Sequence, residues 1–187
     1  MTVCITWGRR RLPIWCFDVE ARPGPWVGSD FTFKSMLSLA SKYEDRDHIS
    51  YLPPGFSAKQ LESFVVPIRR GVLVVTHNGD YDLPLLSGTL MKMGLDPLPR
   101  VLFSDTYKHL PKRGRAFSAS LGNLSQRFDI SAKGHMSEVD WDNVYAGEPK
   151  ALKKLREYNI GDVISTLELR RVLIARGLLG PARVWNP

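Results

Sequence analysis

A chain of 187 residues, 43% hydrophobic and 24% charged, is long enough to bury one sizeable core and holds no apolar run long enough to cross a membrane. Its formal net charge of +7 favours an anionic partner, nucleic acid being the commonest, without saying which. Low-complexity segments, internal repeats and linker-like stretches are all missing, so a single domain over residues 1–187 is expected.

The two cysteines, Cys4 and Cys16, have neither metal-type spacing nor the pattern of a disulfide framework, which fits a reducing compartment. Arg9-Arg10-Arg11 precedes a short apolar run that ends in two acids with no cleavage site, so no signal peptide is expected. The expected location is the cytoplasm, that of the host if the chain is phage-encoded.

That short run, Trp15-Cys16-Phe17-Asp18-Val19-Glu20, reads as a buried strand. Strand alternation puts Ile14, Cys16, Asp18 and Glu20 on one face and Trp15, Phe17 and Val19 on the other. Arg22-Pro23-Gly24-Pro25-Trp26 then makes a turn, and strands are expected over 31–40 and 48–52, forming an antiparallel meander that stops at Pro53-Pro54-Gly55. Ser57-Ala58-Lys59-Gln60 is a capping box, with Phe56 and Leu61 placed for the hydrophobic staple. The helix it opens has the stripe Leu61, Phe64, Val65, Ile68 and ends at Gly71, before the β-branched strand Val72-Leu73-Val74-Val75. His77-Asn78-Gly79-Asp80 turns out of that strand into a helix buried through Leu86, Leu90 and Met93. A short strand at Val101-Leu102-Phe103 ends near Asp105, and a basic loop follows from Lys108 to Arg115. Ser120 caps a helix with Leu121, Leu124 and Phe128 inward, and the longest helix runs over 150–176 with a stripe through Leu152, Leu155, Asn159, Asp162, Thr166 and Leu167. Meander strands followed by alternating helices and strands predict an α/β fold with a mixed sheet between helices.

Two features of this pattern carry chemistry. Asp18 and Glu20 point the same way at the end of a buried strand, where repulsion and desolvation together call for a cation. Asp162 falls on the core stripe of the last helix, four residues after Tyr158, and a carboxylate there needs a partner or a metal. Asp82 is a fourth candidate, with Asp80 as its competitor; if the strands of Asp18 and Val74 are neighbours, all of these converge on one cleft. Oxygen ligands without Cys or His suit Mg²⁺ or Mn²⁺ and argue against zinc.

Together the residues Asp18-Val19-Glu20, Asn78-Gly79-Asp80-Tyr81-Asp82 and Tyr158-Asn159-Ile160-Gly161-Asp162 resemble, in order, the three motifs of the DnaQ-like 3′-to-5′ exonucleases. The last motif is similar to that of the tyrosine subclass, which includes the proofreading domain of family-B DNA polymerases; the histidine of the other subclass would fall at Glu157. Asp105-Thr106 and Ser120-Leu121-Gly122-Asn123-Leu124 also resemble those domains, whereas Ala21 departs from the hydroxyl residue that relatives often carry. The resemblance implies an RNase H-like fold, a central mixed five-stranded sheet with helices on both faces. It also implies two divalent ions bridged by Asp18, with Glu20 and Asp162 completing one site, Asp82 holding the second, and Tyr158 orienting the attacking water.

For the substrate, Lys108, Lys112, Arg113 and Arg115 are candidates to track phosphates, Trp26 and Phe117 to stack on bases, and Asn78 to touch the strand. His77 and His135 read as structural, and Asp105 as a support or helix-side cap. Hydrolysis at the 3′ end of single-stranded DNA, releasing nucleoside monophosphates, is the first reading. An exoribonuclease on the same fold is the second, and a catalytically silent nucleic-acid-binding domain the third, against which four intact carboxylates speak. No polymerase or helicase segment is visible, so a polymerase or other replication partner would act in trans.

Overall fold

The structure, a computed structural model, describes residues 6–7, 10–21, 36–110, 119–130 and 134–187. A short antiparallel pair, β1 (Thr6–Trp7) and β2 (Arg10–Arg11), precedes the main sheet. β3 (Ile14–Ala21), β4 (Met36–Tyr43) and β5 (Ile49–Leu52) form the expected antiparallel meander. Then come α1 (Ala58–Arg70), β6 (Leu73–Thr76), α2 (Gly79–Lys92), β7 (Val101–Asp105), α3 (Leu121–Phe128), α4 (Glu138–Tyr145), α5 (Pro149–Ala175) and β8 (Arg183–Trp185). The sheet order is β5-β4-β3-β6-β7-β8; β3, β6 and β7 are parallel, and the other pairings are antiparallel.

Alternation along β3 decides which helices cover which face. Trp15, Phe17 and Val19 enter a core with Phe64 and Val65 of α1 and Leu83 and Leu86 of α2. Ile14 and Cys16 face the other way, into a core with Leu73, Val75 and the α5 residues Val163 and Leu167. β6, covered on both sides, is buried at all four positions, as a central parallel strand must be. Thus the mixed sheet lies between α1 and α2 on one face and α5 on the other, as expected.

α1 starts where its capping box does. The Gln60 N–H donates to Ser57 Oγ at 3.3 Å, and the Ser57 N–H donates to Gln60 Oε1 at 2.8 Å. Two orphan donors of the first turn are thereby satisfied, and a cap of this kind is worth about 1 kcal/mol. The predicted stripe Leu61, Phe64, Val65 and Ile68 is the buried side, and Gly71 leaves the helix at φ 87, a region that other residues enter at a cost.

Several elements differ from expectation. The sheet has six strands where five were expected, because β8 adds to the free edge of β7 through pairs such as Phe103 with Arg183. At three residues with one exposed side chain, β8 has too little alternation to be read locally. β4 runs on to Tyr43 instead of stopping at residue 40, and positions 31–35 of that predicted strand lie outside the described residues, as does the turn at 22–26. α4 was not foreseen, although Ser137 and Asp140 form a capping box at its start. Among the described residues no helix is long and apolar enough to cross a membrane.

Candidate active site

Because Asp18 and Glu20 share the β3 face turned towards α5, the buried stripe of that helix meets them directly. One carboxylate oxygen from each of Asp18, Glu20 and Asp162 lies within 4.8 Å of the others. The two strand acids are half-buried and Asp162 is buried. Between Glu20 and Ala21 the pairing with β4 slips, so that Glu20 opposes Ser38 while Ala21 opposes Met36. Such a bulge re-aims the side chains beside it, here at the acidic end of β3.

The candidate from α2 is resolved by burial. Asp82 is 4% exposed, whereas the Asp80 side chain is 57% exposed and stands 3.8 Å from Lys108 Nζ in a surface ion pair. Burial, followed by the charges of Asp18, Asp105, Glu20 and Asp162, pushes the Asp82 carboxyl well above its ordinary range. Asp82 stands beside the other three acids without belonging to their 4.8 Å group. Its Oδ2 has no hydrogen-bond partner among the described residues. A buried, orphaned carboxylate oxygen next to three further carboxylates, with oxygen the only donor type, fits a hard divalent cation. The neighbouring Tyr81 hydroxyl is pushed up to about 12 by burial and then by Asp82, Glu20 and Asp18, so it stays protonated beside them.

Asp105 explains how α2 is aimed. This fully buried carboxylate accepts the N–H groups of Asn78 (3.0 Å), Gly79 (2.8 Å), Tyr107 (2.8 Å) and Lys108 (3.0 Å). It therefore ties the end of β7 to the first turn of α2, where an anion also complements the helix dipole, and acts as the helix-side cap that was anticipated. Asn78 precedes the helix at φ 81, a left-handed conformation that asparagine tolerates better than most residues. The Asp105 N–H donates to Nδ1 of His109, whose burial lowers its pKa and favours the neutral ring that can accept.

Asp18 and Asp162 open into a cleft also lined by His77, Asn78, Tyr107, Ser120 and Leu121. It lies beyond the carboxyl ends of the parallel strands, where α/β sheets bind ligands. His77, read from sequence as structural, borders this cleft, with Nδ1 2.9 Å from Thr106 Oγ1 and its ring edge-on to Tyr107. His135 is exposed. Lys108 lies over the Tyr107 ring, 5.3 Å from its centroid. Tyr158 is half-buried and meets Trp141 of α4 edge-to-face at 6.4 Å, a packing partner that its own helix does not reveal. Trp26, Lys112, Arg113, Arg115 and Phe117 lie outside the described residues.

Asn159, which the sequence pattern puts on the buried stripe of α5 without assigning it a role, reaches Asp18 through its amide. The signal is its place on that stripe, between Leu155 and Asp162, since a buried amide must find partners.

No curated protein sequence matches the chain. Among solved structures it is similar to the family B DNA polymerase of the hyperthermophilic archaeon Pyrobaculum calidifontis, with 19% identity and a TM-score of 0.70 over 88% of this chain. The chain spans 25% of that polymerase's length. It is also similar to NrnC of Brucella melitensis, with 21% identity and a TM-score of 0.57 over 88% of this chain and 74% of that one. At such identities the likeness is one of fold. Residues 15–174, from the start of the acidic strand to the end of α5, match the RNase H superfamily, and the chain belongs to that superfamily.

Proposed function

We propose that the chain is a metal-dependent 3′-to-5′ exonuclease that hydrolyses the terminal phosphodiester bond of single-stranded DNA and releases nucleoside monophosphates. The coarser part of this reading, a hydrolytic nuclease, is supported by the superfamily and the acidic cluster together. The observation that carries it is the convergence of Asp18, Glu20 and Asp162 within 4.8 Å, with the buried Asp82 beside them. The direction of attack, the tyrosine subclass and the choice of DNA rest on the three motifs in order and on their resemblance to the proofreading domains.

Asp18, Glu20, Asp82 and Asp162 are the residues to hold Mg²⁺ or Mn²⁺, which when bound supply an activated water and a stabilised leaving oxygen. Tyr158 orients the attacking water through its hydroxyl. Asn78, which lines the cleft together with His77 and Tyr107, touches the terminal nucleotide. The basic segment at Lys112, Arg113 and Arg115, with Phe117 and Trp26, contributes to holding the strand.

The test is to incubate the protein with 5′-labelled single-stranded DNA and RNA of the same sequence in Mg²⁺, Mn²⁺ or EDTA, alongside Asp18→Ala. A ladder shortening from the 3′ end is expected with metal only. Asp18→Ala should lose activity by orders of magnitude and keep its fold, since removing one like charge relieves repulsion. Wild-type turnover in Asp18→Ala would remove Asp18 from the site. Faster loss of the RNA would transfer the reading to an exoribonuclease, and no degradation of either strand would favour a binding domain.

A further inference from the structure

One of the fully buried side chains against the acidic cluster is not an acid. Asn159 is fully buried on α5, three residues before Asp162 and on the same helix face. Its Nδ2 donates to Asp18 Oδ2 at 2.6 Å and to the Asp18 backbone oxygen at 3.2 Å. Its Oδ1 accepts from the hydroxyl of Ser38 at 3.3 Å. Ser38 is itself fully buried on β4, directly across from Glu20. The chain Ser38–Asn159–Asp18 thus joins β4, α5 and β3 at the level of the carboxylates.

We propose that Asn159 is a positioning residue that sets the orientation of Asp18 for divalent-cation binding, and that Ser38 sets the orientation of Asn159. The inference rests on the metal-centre reading above and deepens it.

Three physical points carry it. The Nδ2 of one amide reaches both the side chain and the main chain of a single aspartate, which restrains its rotamer and turns one carboxylate oxygen towards α5. The amide works only one way round, because a flip would set its carbonyl against the carboxylate and carbonyl oxygens of Asp18, which only accept; the Ser38 hydroxyl, donating to Oδ1, holds the amide in that orientation. Finally, the donor is neutral. A lysine or arginine here would hold Asp18 equally well but would neutralise the charge that a cation needs, whereas an amide orients the carboxylate and leaves its charge in place.

The experiment is a Mn²⁺ titration followed by the electron paramagnetic resonance signal of free Mn²⁺, on wild type, Asn159→Leu and Ser38→Ala, with circular dichroism and melting in EDTA to verify folding. Asn159→Leu should weaken Mn²⁺ binding about 10- to 100-fold, the range typical of groups that orient metal ligands. Ser38→Ala should weaken it in the same direction by less. The Mn²⁺ concentration that half-saturates strand degradation should rise in parallel, with the rate recovering at high Mn²⁺, which general destabilisation would not produce. A folded Asn159→Leu with wild-type Mn²⁺ affinity overturns the inference. If that variant does not fold, unchanged affinity in Ser38→Ala overturns it instead. A wild type that binds Mn²⁺ but degrades neither strand overturns the exonuclease reading alone, and a wild type that binds no Mn²⁺ overturns both.

Discussion

Asp82 shows how much of this site is a conflict between burial and charge. Its carboxyl is raised well above 3.8, first by desolvation and then by the acids around it. A raised carboxyl means that the folded state prefers the proton. The associated stability is therefore complete below about pH 4 and is lost as pH climbs through the folded-state value. In metal-free protein, Asp82→Asn cannot ionise and should melt at a higher temperature than wild type near about pH 7, with the advantage gone near about pH 4. Melts in EDTA across that range provide the check, and parallel profiles would show that the carboxyl is not under strain. Added Mn²⁺ should reverse the order, because a ligand that binds only the folded state stabilises the protein able to hold it. Asp18, Glu20 and Asp162 stood out in the sequence because acids in a buried strand or on an apolar stripe contradict their surroundings, whereas Asp82 was one of two candidates that burial alone separates. Asn159 stood out less, since an amide on the stripe of α5 is a milder contradiction.

At the scale of elements, the junction of β6 with α2 does the positioning. Gly79 is packed so closely that a Cβ would run into Thr76 Oγ1 and the ring of Phe103, and Asp105 accepts the successive N–H groups of Asn78 and Gly79. Asp105→Ala would leave the buried Gly79 N–H and three part-buried N–H groups without their acceptor; a buried orphan donor costs about 1–3 kcal/mol, so a loss of about 2 kcal/mol or more is expected in urea unfolding. Gly79→Ala should cost about 1–3 kcal/mol through overpacking. Losses under about 0.5 kcal/mol for both, the scale of ordinary surface substitutions, would show that the junction is not held in this way. The turn itself was visible in His77-Asn78-Gly79-Asp80, but its acceptor was not, because Asp105 comes 26 residues after Gly79. α4, β8 and the β1–β2 pair escaped for a related reason: each is short and draws its stability from a neighbour, so its own periodicity is weak.

For the molecule as a whole, an acidic cluster at the carboxyl ends of the strands belongs to a chain of net charge +7. In the proposed exonuclease, the cations outside the cluster would supply the attraction for the strand while the cluster repels it locally. Binding of a labelled single strand to Asp18→Ala, followed by fluorescence anisotropy, should weaken with added salt along a straight line in log Kd against log salt. A flat line would show that phosphate contacts contribute little.

The sequence by itself determined the two faces of β3, the capped start and buried stripe of α1, the meander, and the three acidic motifs in order. All of these are written in periodicity and spacing over a few turns or residues. Tertiary structure alone decided the slip in pairing after Glu20, the sixth strand, the grip of Asp105 on α2, and the bond from Asn159 to Asp18, which joins residues 141 positions apart. Local pattern says which side chains must turn inward. Which of them then meet depends on strand register and on where one helix crosses the sheet, and those are set by the packing of the whole chain.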